Sequence, residues 1–338
     1  MNSYVPPFKY NARIVSLVAE VSELVGQVTV FDGLDPNPVL RRENQIRTIH
    51  SSLLIENNAL TLDQVTAVLD GKHVLAPPRD VREVQNAYDA YEAAAKLDPY
   101  SFDDLLSAHG LMMDGLVKHP GCLRSDGVGV YAGDVLIHAA PPHNVLPQLM
   151  GDLFEWLCSS NDHPLIKGSV FHYEFEFIHP FMDGNGRTGR LWHSLLLRAW
   201  RPVFAWLPVE TLIHRSQQEY YNAIMAATNA GSSTPFIEFM LGTIHKALVG
   251  VLEQQEGQAQ LESDRMATVS NRLQPYGGDR DAMVMSFLSK QGCATVGDIA
   301  KLLGLSKDRT RAVLRDMAQR GLIVKVGAGR ATRYELSE

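Results

Sequence analysis

A short glycine-rich stretch of the sequence combines backbone flexibility with two arginines. Gly184-Asn185-Gly186 stand directly before a predicted helix that carries Arg187 and Arg190. Glycines let backbone N–H groups approach a ligand closely, and a helix N-terminus attracts anions. Two arginines three residues apart share one helix face, and their planar guanidinium groups suit phosphate oxygens. The stretch therefore predicts a polyphosphate site.

Two residues just before these glycines could act on a bound phosphate. Asp183 could hold Mg²⁺, which usually takes one or two carboxylates together with phosphate oxygens and water. His179 could accept a proton, because an unperturbed imidazole has a pKa of about 6.5. A base, a metal ligand and a phosphate cradle together predict attack of a hydroxyl on phosphorus.

Two common alternatives do not match this stretch. A zinc site would need a second His or Cys at ligand spacing, and none is present. A Walker-type phosphate loop would need Gly-Lys-Ser/Thr after the glycines, which is also missing.

The whole stretch at 179–190, HPFMDGNGRTGR, is similar to the signature of Fic-domain proteins. That signature reads His-x-Phe-x-Asp/Glu-Gly-Asn-Gly-Arg-x-x-Arg, and every fixed position is present. The resemblance extends over roughly residues 40–250. It implies a mainly α fold with a Fic helical core and a small β-hairpin flap. It also implies transfer of AMP from ATP to a Ser, Thr or Tyr hydroxyl of a target protein.

The resemblance assigns a role to each signature position. His179 would be the base, Asp183 would hold Mg²⁺, and Phe181 would anchor the stretch in the core. Arg187 and Arg190 would contact the β- and γ-phosphates. The signature residues that would contact ATP are Asp183, Gly184, Asn185, Gly186, Arg187, Thr188, Gly189 and Arg190.

Two further segments match family positions around the nucleotide. The first is the predicted flap, which would align the target chain beside ATP by strand addition. The second lies on a predicted helix and would line the adenine side, although an aromatic pair there is otherwise usual in a core. The flap residues are Leu136, Ile137, His138 and Ala139, and the adenine-side residues are Tyr220, Tyr221 and Asn229.

Upstream, SSLLIENNALTL at 51–62 resembles the Fic inhibitory motif, Ser/Thr-x-x-x-Glu-Gly/Asn. Its matching residues are Ser52, Glu56 and Asn57. The resemblance implies that Glu56 reaches Arg190 and occupies the group that should bind the γ-phosphate, so that bound ATP is misaligned. Ser52 lies four residues before Glu56 on one helical face and could support it. Another interpretation is that Glu56 positions a water, so that the site removes AMP.

Hydrophobic periodicity and caps predict the elements that position these residues. The helical segments are 11–30, 39–58, 61–70, 79–97, 101–117, 145–160, 163–178, 187–200, 216–229 and 235–256. Gly- and Pro-rich residues 120–145 predict a hairpin. We expect an N-terminal helical region at 1–98, a Fic core at 99–256, a linker at 257–278 and a C-terminal domain at 279–338.

The C-terminal part has the pattern of a winged helix-turn-helix. Three short helical patterns precede two strand patterns around a Gly-rich turn, and Ser306 is placed to cap the last helix. Residues 278–338 carry 11 Lys/Arg against 7 Asp/Glu, whereas the whole chain has a net charge of −7. This basic tail makes DNA a candidate partner, and protein contact is the alternative. The basic residues concerned are Lys307, Arg309, Arg311, Arg315, Arg330 and Arg333.

Composition limits the remaining classes. Hydrophobic residues make up 45% and charged residues 20% of the 338 residues, as in globular proteins. We expect no membrane partner, because no unbroken apolar run of about 18 residues is present. Three scattered cysteines predict a cytoplasmic protein with reduced thiols. A homodimer is expected from the family resemblance alone.

Three functions stay open from the sequence. The first is an autoinhibited, Mg²⁺-dependent protein adenylyltransferase. The second is a DNA-binding regulator whose Fic core senses nucleotide. The third is the same catalytic site used for AMP removal, or for transfer of another phosphate-linked group.

Overall fold

A computed structural model describes residues 4–31, 38–132, 135–205, 207–272, 279–327 and 332–337. The chain forms two compact units, Met1–Gln255 and Glu256–Glu338. The predicted N-terminal helical region and Fic core therefore lie in one unit. The mainly α fold, with a small hairpin and a C-terminal winged helix, is as predicted.

Fourteen α-helices are present in the described part of the chain. The first seven are α1 Ala12–Phe31, α2 Pro38–Ile55, α3 Leu62–Leu69, α4 Pro78–Ala93, α5 Phe102–Met112, α6 Leu146–Ser159 and α7 Pro164–Ile178. The others are α8 Asn185–Trp200, α9 Val209–Arg215, α10 Gln217–Ala230, α11 Thr234–Arg272, α12 Asp279–Gln291, α13 Val296–Leu303 and α14 Lys307–Gln319. Short 3₁₀ turns cover Ala94–Lys96, His143–Val145 and Pro202–Ala205.

Local capping chemistry sets several helix ends as the sequence predicts. Thr61 caps α3 and forms a reciprocal capping box with Gln64. Ser101 accepts a hydrogen bond from the backbone N–H of Asp104 at the start of α5. α2 ends at Ile55, three residues earlier than predicted, because Asn57 adopts a left-handed conformation with φ 65°.

Helix α11 extends further along the chain than the hydrophobic pattern of the sequence predicts. α11 continues to Arg272, so most of the predicted linker at 257–278 is helical. The predicted helix end at 256 is wrong because loss of apolar periodicity was taken as loss of helix. Residues 257–272 have no proline and are rich in Ala, Gln, Glu, Met and Arg, which favour helix.

Helices α7 and α8 form the centre of the first unit. α7 is buried on all sides, and even its polar residues Ser169, His172 and Glu176 are inside. α8 packs closely against it, because Gly189 leaves no side chain between the helices. A Cβ at Gly189 would lie 3.0 Å from the Phe175 ring. The loop between these two helices is therefore fixed at both ends by core packing.

One hairpin in the first unit lies in the predicted flap segment. Strands β1 Gly129–Ala132 and β2 Val135–Ala139 pair antiparallel, with Val130 opposite His138 and an irregularity after Val130. The side chains of Leu136, Ile137, His138 and Ala139 lie outside the described residues, so their role against a target chain stays a prediction.

The second unit has its own small core. Ser306 caps α14, as predicted, by accepting from the backbone N–H of Arg309. Strands β3 Ile323–Val326 and β4 Arg333–Leu336 pair antiparallel after the three helices. Residues such as Leu288, Ile299 and Leu314 fill the interior. This is the winged-helix arrangement that the sequence predicts.

One helix in the described residues is long and apolar enough to cross a membrane by length and composition alone. It is the segment Thr234–Glu253, with a mean hydropathy of 1.4, and half of it is buried in the first unit. Phe236, Met240 and Ile244 along it are fully buried. Core packing accounts for this apolar stretch, as in the core helices of many proteins.

Candidate active site

The loop between α7 and α8 is folded by its own signature residues. His179 ends α7 in a left-handed conformation, with φ 50° and ψ 62°. The Asn185 side chain accepts from the Phe181 N–H and donates to the Phe181 carbonyl, both at 2.9 Å. Phe181 itself is fully buried. The role predicted for Phe181 as a core anchor agrees with this position.

The start of α8 presents backbone donors as an anion site requires. Gly184 stands at the N-cap with φ 82°, and a Cβ there would lie 2.5 Å from the Met113 sulfur. A residue with a side chain would be strained in this conformation and would meet Met113. The loop can therefore enter α8 with the free N–H groups of its first turn in place.

Asp183 lies partly exposed in this loop, with both carboxylate oxygens in contact with donors. Oδ1 accepts from the backbone N–H of Gly184 at 2.6 Å and from Arg187 at 3.2 Å. Oδ2 accepts from Arg79 at 3.2 Å. Its side chain is 40% exposed, so solvent and an incoming cation can reach it.

Arg187 is buried and has unused hydrogen-bonding capacity. Its side chain is 3% exposed and pairs with Asp183, while its Nη1 lies 3.4 Å from Glu83 Oε1. Among the described residues, neither Nε nor Nη1 of Arg187 has a hydrogen-bond acceptor of good geometry. Buried donors of this kind are costly unless an acceptor arrives. The site thus has donors that suit a phosphate oxygen.

Arg190 is fully buried and is held by the helix that the sequence singled out. Its Nε donates to Ser52 Oγ at 3.1 Å, and its Nη2 donates to the Ser52 carbonyl at 3.0 Å. Nη2 also donates to Glu56 Oε1 at 2.8 Å. Burial is the largest single effect and lowers the pKa of Arg190, but Glu56, Tyr220 and Glu176 together outweigh it and raise the pKa.

The Glu56 carboxylate also covers the phosphate loop. A Cβ built on Gly186 would overlap Glu56 Oε1 and lie 3.0 Å from Arg190 Nη1. Only glycine can therefore stand at 186 while Glu56 holds this position. The structure places Glu56 on Arg190, as the two sequence motifs predict. Ser52, which was expected to support the Glu56 carboxylate, bonds to Arg190 instead.

Asn57 and Asn58 shape the turn that aims Glu56. Asn57 has the left-handed conformation that ends α2. The Asn58 side chain is buried and donates to Glu83 Oε2 at 2.9 Å. Asn58 also accepts from the backbone N–H of Leu60 at 3.1 Å. The turn is therefore attached to α4 as well as to α2.

His179 lies at the mouth of this site and is 20% exposed. Its Nδ1 is 3.3 Å from the Glu176 carbonyl and 3.9 Å from a Glu176 carboxylate oxygen. A proton on Nδ1 shared with that carbonyl leaves Nε2 as the basic nitrogen.

Two residues that the sequence analysis missed hold the loop in place. Arg124 is buried, and its guanidinium donates to the carbonyls of His179, Asp126 and Pro141. It therefore joins the end of α7 to the base of the hairpin. Nothing in the sequence around Arg124 distinguishes it from other arginines.

His109 is the second missed residue. Its ring stacks on Phe181, with ring centres 3.6 Å apart, and its Nε2 lies 3.0 Å from the Asp183 carbonyl. Its Nδ1 accepts from the backbone N–H of Gly121. Burial lowers the pKa of His109 to about 4, so the ring is neutral and Nε2 is the donor.

The predicted adenine-side residues occupy three different environments. Tyr220 is 2% exposed, and its hydroxyl contacts His172 in the core. Tyr221 is half-buried and accepts from Gln217, which also donates to the carbonyl of Ile55. Asn229 is exposed near the end of α10. Gln217 thus links Tyr221 to the end of α2. The adenine roles of all three residues stay predictions.

Thr188 and Gly189 lie in the packed interior, where α8 contacts α7. Thr188 is fully buried, and Gly189 packs against Phe175 and Glu176 of α7. Their placement favours helix packing, and their contact with ATP stays a prediction.

Comparison with known protein families agrees with this geometry. The model of the Fic/DOC family matches residues 99–197. The model described as "Transcriptional regulator DIP2311-like, C-terminal domain" matches residues 279–337.

Solved structures extend the likeness to the whole chain. A Fic family protein from Desulfovibrio desulfuricans G20 is 43% identical, with 98% of each chain covered and a TM-score of 0.74. Fic-1 from Caenorhabditis elegans is 21% identical over 74% of each chain, with a TM-score of 0.59, which supports the fold alone. The chain belongs to the Fic family.

Curated relatives carry the name protein adenylyltransferase. Fic-1 of C. elegans is 30% identical over 62% of this chain and 42% of its own length. The Fic protein of Drosophila yakuba is 28% identical over 74% of this chain and 54% of its own length. The chain thus spans about half the length of the curated relatives it matches, and their activity is a hypothesis for this protein.

Proposed function

We propose that this protein is an autoinhibited protein adenylyltransferase. It would transfer AMP from ATP to a Ser, Thr or Tyr hydroxyl of a target protein. The observation that carries the proposal is the pairing of Glu56 with Arg190 directly over the phosphate loop. A carboxylate in that position occupies the place of a phosphate and uses the arginine that would bind it.

The donor set fits Mg²⁺–ATP. Arg187 has buried N–H groups without acceptors among the described residues, which a phosphate oxygen can satisfy. The N-terminal turn of α8 supplies further backbone donors. Asp183 is exposed enough to share a cation with phosphate oxygens and water. When bound, Mg²⁺ would neutralise charge on the phosphates during transfer.

The residues of this chain would carry the reaction as follows. His179 Nε2 accepts the proton of the target hydroxyl, whose oxygen forms a bond to the α-phosphorus. The bond from that phosphorus to the oxygen that bridges to the β-phosphate breaks, and pyrophosphate leaves. Arg187 and Arg190 stabilise the departing charge. Asn185 and His109 keep the loop in its folded position.

Glu56 would lower activity by misplacing the substrate. While it holds Arg190, ATP can bind only with its end phosphate displaced, so the α-phosphate is not in line with the target hydroxyl. Removal of the carboxylate would return Arg190 to the nucleotide.

The experiment is intact-mass spectrometry after incubation with Mg²⁺–ATP. Wild type, Glu56→Gly and His179→Ala are compared, with Glu43→Gly on α2, the helix that ends directly before Glu56, as the matched control. We expect AMP addition in Glu56→Gly, at least tenfold above wild type, and none in His179→Ala. Equal modification of wild type and Glu56→Gly would exclude the inhibitory role of Glu56.

The same experiment separates the remaining catalytic alternatives. Pre-modified protein that loses AMP only when Glu56 is present would favour AMP removal. Modification by another phosphate-linked donor, and not by ATP, would mean that the same site transfers a different group. The cytoplasmic location and the homodimer stay predictions.

We also propose that the second unit binds DNA. Lys307, Arg309, Arg311 and Arg315 are all exposed on α14, and Arg311 is paired with Asp308 at 2.8 Å. Arg333 lies on β4, and Arg330 lies outside the described residues. The exposed charges suit contacts with DNA phosphates. The match of residues 279–337 to a transcriptional regulator domain also supports the proposal.

Fluorescence anisotropy with labelled duplex DNA tests this second proposal. Arg309→Ala and Arg315→Ala should each weaken binding and reduce its salt dependence by about one charge. Arg280→Ala on α12 removes the same charge from another helix and serves as the control. Equal loss in all three variants would point to net charge rather than an α14 contact. A regulator whose Fic core only senses nucleotide would show ATP-dependent DNA binding without protein modification.

A further inference from the structure

A closed ring of four charged side chains includes the predicted metal ligand, Asp183. Arg79 Nη2 lies 3.2 Å from Asp183 Oδ2, and Asp183 Oδ1 lies 3.2 Å from Arg187 Nη2. Arg187 Nη1 is 3.4 Å from Glu83 Oε1, which in turn is 3.3 Å from Arg79 Nε. Positive and negative groups alternate around the ring, so each acid is shared between two arginines.

Arg79 differs from the other cations of the site in its freedom to move. Its side chain is 62% exposed, whereas Arg187 and Arg190 are 3% and 1% exposed. An exposed ion pair is worth little, about 0–1 kcal/mol, so its partner can be exchanged at low cost. Arg79 is therefore the mobile cation at a site whose other two arginines are fixed by the core.

Arrival of Mg²⁺–ATP would change the partner of Arg79. A cation that binds Asp183 Oδ2 would compete with Arg79 for the negative charge of that carboxylate. A phosphate oxygen that shared Mg²⁺ with Asp183 would lie next to this carboxylate. The guanidinium that now contacts Asp183 is thus within reach of that phosphate, while Glu83 continues to hold its Nε.

We propose that Arg79 is a third phosphate-binding arginine of this site, which holds Asp183 before Mg²⁺–ATP binds and contacts the polyphosphate afterwards. Glu83 acts as its positioning residue, because one carboxylate oxygen aligns both Arg79 and Arg187. The proposal rests on the proposed function, since it requires that the loop bind Mg²⁺–ATP. Its ligand class is a metal-bound polyphosphate rather than a nucleoside.

Isothermal titration calorimetry of the full chain tests this role without turnover. The parent is the Glu56→Gly/His179→Ala variant, in which Glu56 no longer pairs with Arg190 and no base is present. Mg²⁺–ATP and AMP are titrated into the parent and into the same protein with Arg79→Ala, Arg79→Lys or Arg82→Ala. Arg82 is the matched control, since it lies on α4, is 49% exposed and faces Asp114 at 3.6 Å.

Arg79→Ala should raise the Kd for Mg²⁺–ATP about tenfold, as expected for loss of one charge-assisted hydrogen bond. Its Kd for AMP should change less than twofold, and Arg79→Lys should recover part of the loss. Arg82→Ala should bind both ligands as the parent does. Thermal melts of each variant report whether it is folded.

Three outcomes would overturn the proposal. Unchanged Mg²⁺–ATP binding in Arg79→Ala would show that Arg79 does not contact the phosphates. Tighter binding would show that Arg79 only competes for Asp183. If the folded parent binds no Mg²⁺–ATP, the proposed function fails and this inference fails with it.

Discussion

The predicted phosphate loop at 179–190 and the turn at Glu56, which we propose to be inhibitory, contact each other at Arg190 and Gly186, but they are built differently. The loop residues Asn185, Arg187 and Arg190 are at most 3% exposed and are tied to backbone groups or to the core. Glu56 is 29% exposed, and its carboxylate has one hydrogen bond to the described residues, which goes to Arg190. The residues of the predicted phosphate site are thus fixed by the core, whereas the group that we propose to block it is partly exposed and has a single partner among the described residues.

Because of this contrast, removal of Glu56 and removal of Arg190 should change the transfer activity in opposite directions. Without Glu56, the buried Arg190 still has Ser52 as a partner and gains access to phosphate. Without Arg190, the site loses a phosphate ligand and a carboxylate stays in a phosphate position. The predictions below test this asymmetry.

Arg190→Ala should give the largest effect. In the Glu56→Gly background we expect kcat/KM for AMP transfer to fall roughly 100-fold, because a preorganised phosphate donor is lost. Radiolabelled ATP incorporation measures the loss. Arg198→Ala, two turns further along α8, is the control and should keep the activity of the parent. Near-normal transfer by Arg190→Ala would show that Arg190 is not needed to bind the phosphates.

The buried side chain of His172, close enough to Arg190 to be affected by its charge, should make the stability of the protein depend on pH. Burial, with a smaller effect of Arg190, lowers the pKa of His172 to about 3 from 6.5. Between these values the unfolded chain binds a proton that the folded chain does not, so stability falls as pH falls below 6.5. Between pH 6.5 and about 5 this single group should cost about 2 kcal/mol.

Urea unfolding at several pH values measures this dependence, with His172→Gln as the comparison. The variant should lose that part of the slope below pH 6.5, whatever its stability at neutral pH. An identical slope in both proteins would assign the acid sensitivity to other buried groups, such as His193, whose pKa burial also lowers.

Glu56→Gln should give an intermediate effect. The amide keeps the shape of the carboxylate and one hydrogen bond to Arg190, but it loses the charge that strengthens this bond. We expect about a fivefold rise in AMP incorporation, below that of Glu56→Gly. A rise as large as that of Glu56→Gly would show that charge alone blocks the site. No rise would show that occupancy of the space above Gly186 is sufficient.

Ser52→Ala should give the smallest effect. Arg190 loses the Ser52 hydroxyl but keeps the Ser52 carbonyl and Glu56. Loss of one hydrogen bond to a charged group should cost about 1–2 kcal/mol of unfolding free energy. Transfer activity should change less than threefold. Ser51→Ala on the same helix is the control, since Ser51 contacts Thr211 instead. A large rise in transfer with Ser52→Ala would give the hydroxyl a direct share in holding the inhibited state.

Local features of the sequence predicted most of the fold. Capping residues such as Thr61, Ser101 and Ser306 mark helix starts because their side chains bond the neighbouring backbone. Helix α9 was missed because seven residues give too little periodicity, and α11 was cut short because polar residues can still form helix. The candidate site was found from the 179–190 motif, since its residues are consecutive.

The residues that surround the motif were not predictable in this way. Arg79, His109 and Arg124 carry no local pattern, because their partners lie 104, 74 and 55 residues away. Glu83 was also missed, and its role depends on which arginine the folded chain brings beside it. Pairings of this kind depend on packing of helices distant in sequence.

The sequence by itself determined the residue types of the candidate site at positions 179–190, the helical character of the chain and the winged-helix pattern at its end. Each of these depends on neighbouring residues, so the order of residue types carries the information. Tertiary structure decided where the charges face one another. It placed Glu56 on an arginine 134 positions away and joined Arg79, Asp183, Arg187 and Glu83 into one ring. The physical reason is that Coulomb forces act through space, and only the packed helices bring these groups within bonding distance.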